Sequence, residues 1–357
     1  MVREVLHLEP VAVRGGIQVN LLRSSELERW DSFVERCAEA TFFHRTGWRT
    51  IIDRVFGHKT FFLLATRGDD VVGILPLAQI RSFLFGHSLS SLPFCVYGGT
   101  AVAEPEAQPA LVDAASSLAR RLGASYLELR NRAIKNPTWP RQDLYVTFRK
   151  EIAADADANM LAIPRKQRAM VRKGIKAGLR SEIDSSIERF FALYADNVHR
   201  HGTPALSRGY FRALLREFGN DCEILTVSTR SGEPVSSVLS FYFRDEVLPY
   251  YAGDSPRARE LGANDFKYWE VMRRASQRGC RVFDYGRSKR GTGSYDFKRN
   301  WGFEPTPLEY EYDLIETDRI PQNNPANPKY QAFIGGWRLL PLPLANALGP
   351  LLIRNLG

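Results

Sequence analysis

One order of elements runs through this chain twice, and that repetition narrows the folds open to it. A strand at residues 17–22, a helix at 25–38 and a second helix carrying Trp48 and ending near Gly57 come first. Residues 59–67 and 71–80 then read as strands joined by Gly68-Asp69-Asp70, which marks a hairpin. An extended run at 94–102, a helix at 108–122 closed by Gly123, and a returning strand at 125–130 follow. After residue 220 the order returns: a hairpin of 223–230 and 235–243, an extended run at 247–252, a helix at 265–278 closed by Gly279, and a strand at 281–285. Thr66-Arg67-Gly68 aligns with Thr229-Arg230-Ser231, Tyr97-Gly98-Gly99 with Tyr251-Ala252-Gly253, and Leu127-Glu128 with Phe283-Asp284. The period is far longer than that of a solenoid, so the pattern points to a duplicated α/β unit. The competing explanation is that any two α/β units share this order.

At 357 residues the chain exceeds one ordinary core and suits two domains. Its 49 Lys and Arg against 40 Asp and Glu leave a formal charge of +9. That surplus favours nucleic acid, phosphorylated substrates or an acidic membrane surface without choosing among them. Cys37, Cys95, Cys222 and Cys280 are scattered and form no C-x-x-C pair, which argues against a disulfide framework or a structural zinc site. The first ten residues lack the apolar core of a signal peptide, and no run approaches the roughly 20 apolar residues of a membrane span. The expected location is the cytoplasm.

Two segments stand out. Residues 164–178 hold Arg165, Lys166, Arg168, Arg172, Lys173 and Lys176, with Met170, Val171 and Ile175 on one side if the segment is helical. It is either a phosphate-binding face or a solvated linker helix. Residues 287–303 begin as a Gly-rich cationic loop just past a strand's C-terminal end, where α/β folds place ligands. They continue as a short helix with Phe297 and Trp301 four apart, closed by Gly302, and a strand returns at 308–314.

The run Tyr295-Asp296-Phe297-Lys298-Arg299-Asn300-Trp301-Gly302-Phe303 resembles the signature of the FemAB-like aminoacyltransferases. The resemblance covers residues 17–315 and looks nearest to the FemAB-related group of exosortase/PEP-CTERM systems with a BioF2-like acetyltransferase domain. It implies an α/β (α+β) fold of two tandem GNAT-like domains with mixed central sheets, joined by a basic helical linker. The expected division is 1–160, a linker at 161–182, a second domain at 183–315, and a linker and apolar tail at 316–357. It also implies transfer of an acyl or aminoacyl group to an amine of a cell-envelope or exopolysaccharide-related acceptor, phosphorylated or lipid-linked. The donor is aminoacyl-tRNA or acetyl-CoA, and no other cofactor is required.

By resemblance the catalytic pair is Phe297 and Lys298. An oxyanion forms when an amine attacks an ester or thioester, and a cation beside it stabilises the transition state. Lys298 suits that part as an ammonium, and Phe297 walls the site or packs the acceptor. Arg208, Arg287 and Arg49 are candidate phosphate or substrate contacts. Asp284 is a candidate partner of Lys298 or of the amine, or else half of a salt bridge. Arg259, Gly262 and Asn264 approximate the R/Q-x-x-G-x-G/A loop that binds pyrophosphate in CoA-dependent relatives, with Asn at the last position. His199 and His201 are not spaced as ligands on one helical face, so no metal is expected.

Beyond a Pro- and Asn-rich linker at 321–328, residues 336–354 are Leu-rich with Trp337, Arg338 and Arg354 as punctuation. This tail is an interfacial membrane anchor at the inner face, or a strap on the protein's own surface. Two further functions compete with aminoacyl transfer. One is a CoA-dependent N-acetyltransferase; the other is a non-catalytic binder of an anionic glycan precursor or RNA.

Overall fold

The hairpin strands are buried almost from end to end, at every position of 61–66, 72–80 and 235–243. Continuous burial means that both faces of each sheet are covered, which is why these runs show no clean alternation. In a computed structural model describing residues 11–82, 86–320 and 328–354, the chain divides into two compact units.

The first unit's sheet runs in the order Val11–Arg14, Ile17–Leu21, Lys59–Arg67, Asp70–Ser82, Gly86–Ser90, Tyr126–Asn131, Glu309–Leu314, Arg141–Gln142. Neighbours are antiparallel except for Gly86–Ser90 beside Tyr126–Asn131. Helix Ala107–Arg121 closes a core of Leu63, Leu75, Leu111, Leu118 and Leu127. The extended run expected at 94–102 is displaced. The strand is Gly86–Ser90, and only Ala101–Val102 pairs later. Leu92 and Phe94 have φ of 60° and 68°, left-handed conformations that no continuous strand admits.

The second unit's sheet runs Arg180–Asp184, Cys222–Ser228, Pro234–Phe243, Glu246–Asp254, Val282–Asp284, Tyr145–Glu151, Ser288–Lys289. Again one neighbouring pair is parallel, Glu246–Asp254 beside Val282–Asp284. Leu239 faces Tyr251 and Ser240 faces Pro249, so Tyr250 is the extra residue of a bulge. The duplicated order of hairpin, strand, helix and strand is therefore present in both units.

The chain crosses between units at Asp143 rather than near residue 160, and Leu308–Pro321 returns to the first. Tyr145–Glu151, with Val146 and Phe148 buried, pairs with Val282–Asp284. Glu309–Leu314 pairs with Tyr126–Asn131. Each strand thus occupies the position in one sheet that its sequence neighbourhood suggests for the other.

The basic segment forms helix Arg165–Lys176, but it is part of the second unit and not a free linker. A Cβ at Gly174 would lie 2.7 Å from Phe266 Cβ, so the helix backbone rests directly on helix Ala263–Gln277. Val171 is buried in this contact, whereas Ile175 is half exposed. Gly174, not Ile175, completes the inward face. Residues 321–327 of the expected linker lie outside the described residues. The tail forms helices Pro328–Leu339 and Leu342–Ile353.

Candidate active site

The second unit holds a cavity of about 490 Å³ where strand Glu246–Asp254 ends. Five elements build it. The strand end contributes Asp254, Ser255 and Pro256, and helix Glu188–Arg200 with its cap contributes Asn197, Arg200 and His201. Ala258, Arg259, Gly262, Asn264 and Asp265 come from the segment that opens helix Ala263–Gln277, with Met170 from the basic helix and Phe297 from helix Gly293–Asn300. A strand end facing a helix N-terminus is the usual place for a ligand in an open α/β sheet.

Gly262 has a packing reason to be glycine. Its φ is +70°, and a Cβ there would lie 2.7 Å from the Met170 carbonyl oxygen. This residue lets the basic helix and the 15-residue helix beginning at Ala263 meet at the cavity rim.

Two carboxylates border the space. Asp254 is held by the Lys267 ammonium at 2.9 Å and by the Ser236 hydroxyl, while Arg200 donates to the Asp254 carbonyl. Lys267 has no exposed side-chain surface, so this ion pair fixes Asp254 from the protein side. Asp265 accepts from Trp301 Nε1 at 3.0 Å. Burial pushes the Asp265 carboxyl above its usual range, although the Trp301 bond opposes this. The Ser255 hydroxyl is buried and has no hydrogen-bond partner among the described residues.

Of the residues singled out in the sequence, Arg259, Gly262, Asn264 and Phe297 meet at this cavity. Phe297 packs against Tyr268 and Trp301 at 5.4 and 6.0 Å between ring centroids. Lys298 points the other way. Its Nζ donates to the carbonyls of Tyr285, Gly286 and Arg287 at 2.7, 3.1 and 3.2 Å. An ammonium has three donors, and here three carbonyl oxygens take them. Burial lowers its pKa to about 7; Asp284 opposes the shift and Arg287 adds to it.

Asp284 is fully buried and grips the same turn from the other side. It accepts from the Gly286 N–H at 2.7 Å and pairs with Arg149 at 2.8 Å. Its salt-bridge reading is the one realised, and Asp284 is not among the cavity-lining residues. Arg287 is exposed and lies 4.5 Å from the Tyr145 ring centroid. Arg208 is paired with Glu188 and covers Phe191. Arg49 lies in the first unit, donating to the Leu22 carbonyl at 3.4 Å. His201 Nδ1 bonds the Asn197 carbonyl, and His199 Nε2 the Trp337 carbonyl.

Sequence reasoning missed Asp254, Ser255, Asp265 and Arg200. Asp265 reads as an ordinary acid in a helix's first turn. The one available signal was Asp254-Ser255-Pro256 directly after an apolar strand.

The first unit has a smaller cavity of about 140 Å³, lined by Glu39, His44, Tyr97, Arg130, Lys135 and neighbours. Burial lowers the His44 pKa to about 4. Its neutral ring is already satisfied by the Gly99 carbonyl and Thr41.

These features define a tandem GNAT-type acyltransferase fold. Residues 165–299 match the family described as acetyltransferase (GNAT) domain. The match begins at the first residue of the basic helix, in keeping with that helix's place inside the second unit. No curated protein matches the chain. Among solved structures, FemX is similar at a TM-score of 0.65 with 14% identity, over 88% of this chain and 99% of that one. The C-terminal domain of a candidate lysylphosphatidylglycerol synthetase from Agrobacterium fabrum is similar at 0.56 and 13%, over 81% and 91%. A tandem GNAT protein from the clavulanic acid biosynthesis pathway is similar at 0.51 and 12%, over 83% and 98%.

Proposed function

We propose that the second unit transfers an acyl or aminoacyl group from an ester or thioester to an amine, in the cavity at Asp254 and Asp265. The observation that carries this reading is the cavity where strand Glu246–Asp254 ends beside the start of helix Ala263–Gln277, with the Asp254 and Asp265 carboxylates in its lining. The amine nitrogen forms the new C–N bond as the C–O or C–S bond breaks. Asp265 takes the proton the amine loses, and the departing oxygen or sulfur is protonated in turn. A carboxylate that burial pushes above its usual range is a better base for this step than an ordinary one. Phe297 excludes water beside it. Lys298, engaged by three carbonyls, acts as a positioning residue for the turn that carries Arg287, in place of the oxyanion role suggested by resemblance.

Two donor classes have support. The first-turn N–H groups at Ala263 and Asn264, next to Arg259, suit a pyrophosphate such as that of acetyl-CoA. The exposed Arg165, Lys166, Arg172, Lys173 and Lys176, on the helix that also supplies Met170 to the cavity, suit a longer polyanion such as aminoacyl-tRNA. A cell-envelope or exopolysaccharide amine as acceptor, and a place among exosortase-associated proteins, rest on the sequence resemblance alone.

Thermal-shift titration with acetyl-CoA and with aminoacyl-tRNA separates the donors, since a true donor stabilises the fold at micromolar concentration. Arg172→Glu with Lys173→Glu should abolish a tRNA shift and spare a CoA shift. If neither donor shifts the melting temperature and the Asp265→Asn protein complements a strain deleted for this chain as well as wild type does, the transfer reading fails and a binding role replaces it.

A further inference from the structure

We propose that helices Pro328–Leu339 and Leu342–Ile353 present a membrane-binding face that docks the second unit on an anionic phospholipid surface. The inference goes beyond the transfer reaction and does not depend on it.

The two helices pack with their small or anchoring residues inward and their leucines outward. Trp337 is buried, and its carbonyl meets His199 Nε2 at 3.1 Å. Ala345 is buried, and a Cβ at Gly349 would come within 2.9 Å of the Ala205 carbonyl. On the other side, Leu339 is 85% exposed, Leu351 61%, Leu344 46% and Leu348 39%. Leu344, Leu348 and Leu351 are spaced as one helical stripe. With Phe333, these make five of the nine large apolar side chains exposed among the described residues. Such a concentration marks an interaction surface, whereas singly scattered apolar residues do not.

Charge identifies the occupant. Residues 321–357 contain Lys329, Arg338 and Arg354 and no Asp or Glu. A segment with this composition meets a second copy with charge of the same sign, whereas an anionic lipid surface complements it. No helix among the described residues is long and apolar enough to cross a membrane. Pro341 and Pro350 divide the segment, so the helices suit the plane of the interface. The anchor shares an element with the cavity. Helix Glu188–Arg200 and its cap give His199 and His201 to the tail and Asn197, Arg200 and His201 to the cavity lining. A lipid-linked amine would therefore meet the site from the surface on which the protein rests.

Flotation of the full chain with vesicles of phosphatidylglycerol and phosphatidylcholine tests this. The wild type should float with anionic vesicles and at least tenfold less with pure phosphatidylcholine. Leu348→Glu with Leu351→Glu should remove flotation. Leu339→Glu, at the most exposed position, should weaken it severalfold with an unchanged melting curve, which guards against misfolding of the double variant. Light scattering on the same samples reads the self-association alternative. A wild type that stays in the pellet with both vesicles overturns the proposal. So does a Leu339→Glu protein that floats like wild type, or a wild-type dimer that these changes convert to a non-floating monomer.

Discussion

The two units build the same parallel strand pair and treat its end in opposite ways. In the first, the N–H groups of Gly98 and Gly99 both bond the Arg130 carbonyl, drawing the segment beyond Gly86–Ser90 back onto its neighbour. A Cβ on Gly99 would lie 1.8 Å from Asn131 Oδ1. Behind this seam, Glu128 is buried against Arg130, Ser90 and Tyr312. Burial alone would raise the Glu128 pKa, but Arg130 and the hydrogen bonds more than reverse it, leaving it lowered. In the second unit, the matching Ala252-Gly253 pairs with Val238 and Ser237 of the hairpin, and Gly253 abuts the Tyr194 backbone. Asp254 beyond it opens on the larger cavity. One copy folds its strand end over a buried Glu128–Arg130 pair and leaves about 140 Å³ there, and the other sets Asp254 and Asp265 beside about 490 Å³. The frame recurs in both units, and what differs is where the charged groups sit.

The comparison breaks most sharply at Arg130. Arg130→Ala should cost about 3–5 kcal/mol by stranding buried Glu128, seen as a large drop in melting temperature, with donor binding in the second unit intact. If donor binding is lost while the fold persists, the first unit is not merely structural. Next, Asp265→Asn should lower transfer about 10²-fold or more, with little change in thermal stability. An activity unchanged by this substitution would leave the second cavity without its base.

Lys298→Met should cost about 1–3 kcal/mol, because three carbonyls lose their donor. The pH profile sharpens this. The folded pKa of Lys298, about 7, lies below its ordinary 10.5, so the unfolded chain holds the proton more tightly. The favourable contribution is present above 10.5 and lost as pH falls through 7. Wild-type stability relative to Lys298→Met should therefore rise from pH 7 to pH 10 in paired denaturation curves; a flat difference would show an unshifted lysine. The smallest effect is expected at Gly262→Ala, about 1–2 kcal/mol from its left-handed backbone and the Met170 carbonyl. It should also weaken donor binding, whereas Gly123→Ala, left-handed with no neighbour within 4 Å, should affect stability alone.

Local signals carried much of the fold. Hairpin turns, Gly123 and Gly279 as helix stops, and the short helix around Phe297 are written in adjacent residues. What was hidden depends on distant partners. Nothing within Tyr145–Glu151 says that Val282–Asp284 is its neighbour, and nothing in Arg165–Lys176 shows Phe266 pressed against Gly174. At the site, the Arg259–Asn264 stretch and Phe297 were legible as motifs. Asp265 was not, because its raised pKa arises from burial, a property of the assembled unit. Lys298 was visible as a residue, but its engagement by the 285–287 carbonyls needed the turn's actual path.

The exchange of Tyr145–Glu151 and Glu309–Leu314 bears on how the chain can be made. Asn131 Nδ2 meets the buried Glu311 carboxylate across 180 residues of sequence, and the Lys135 and Asn136 N–H groups bond the same side chain. On a ribosome, those groups emerge long before their acceptor. The amino-terminal half therefore cannot complete its sheet as an early, independent unit, which is the ordinary course for tandem domains. It must wait, with the edge of Tyr126–Asn131 unpaired, until the second half has been synthesised. A truncation ending between the halves should consequently aggregate rather than yield a stable amino-terminal domain, and refolding should be slow, in keeping with so distant a pairing.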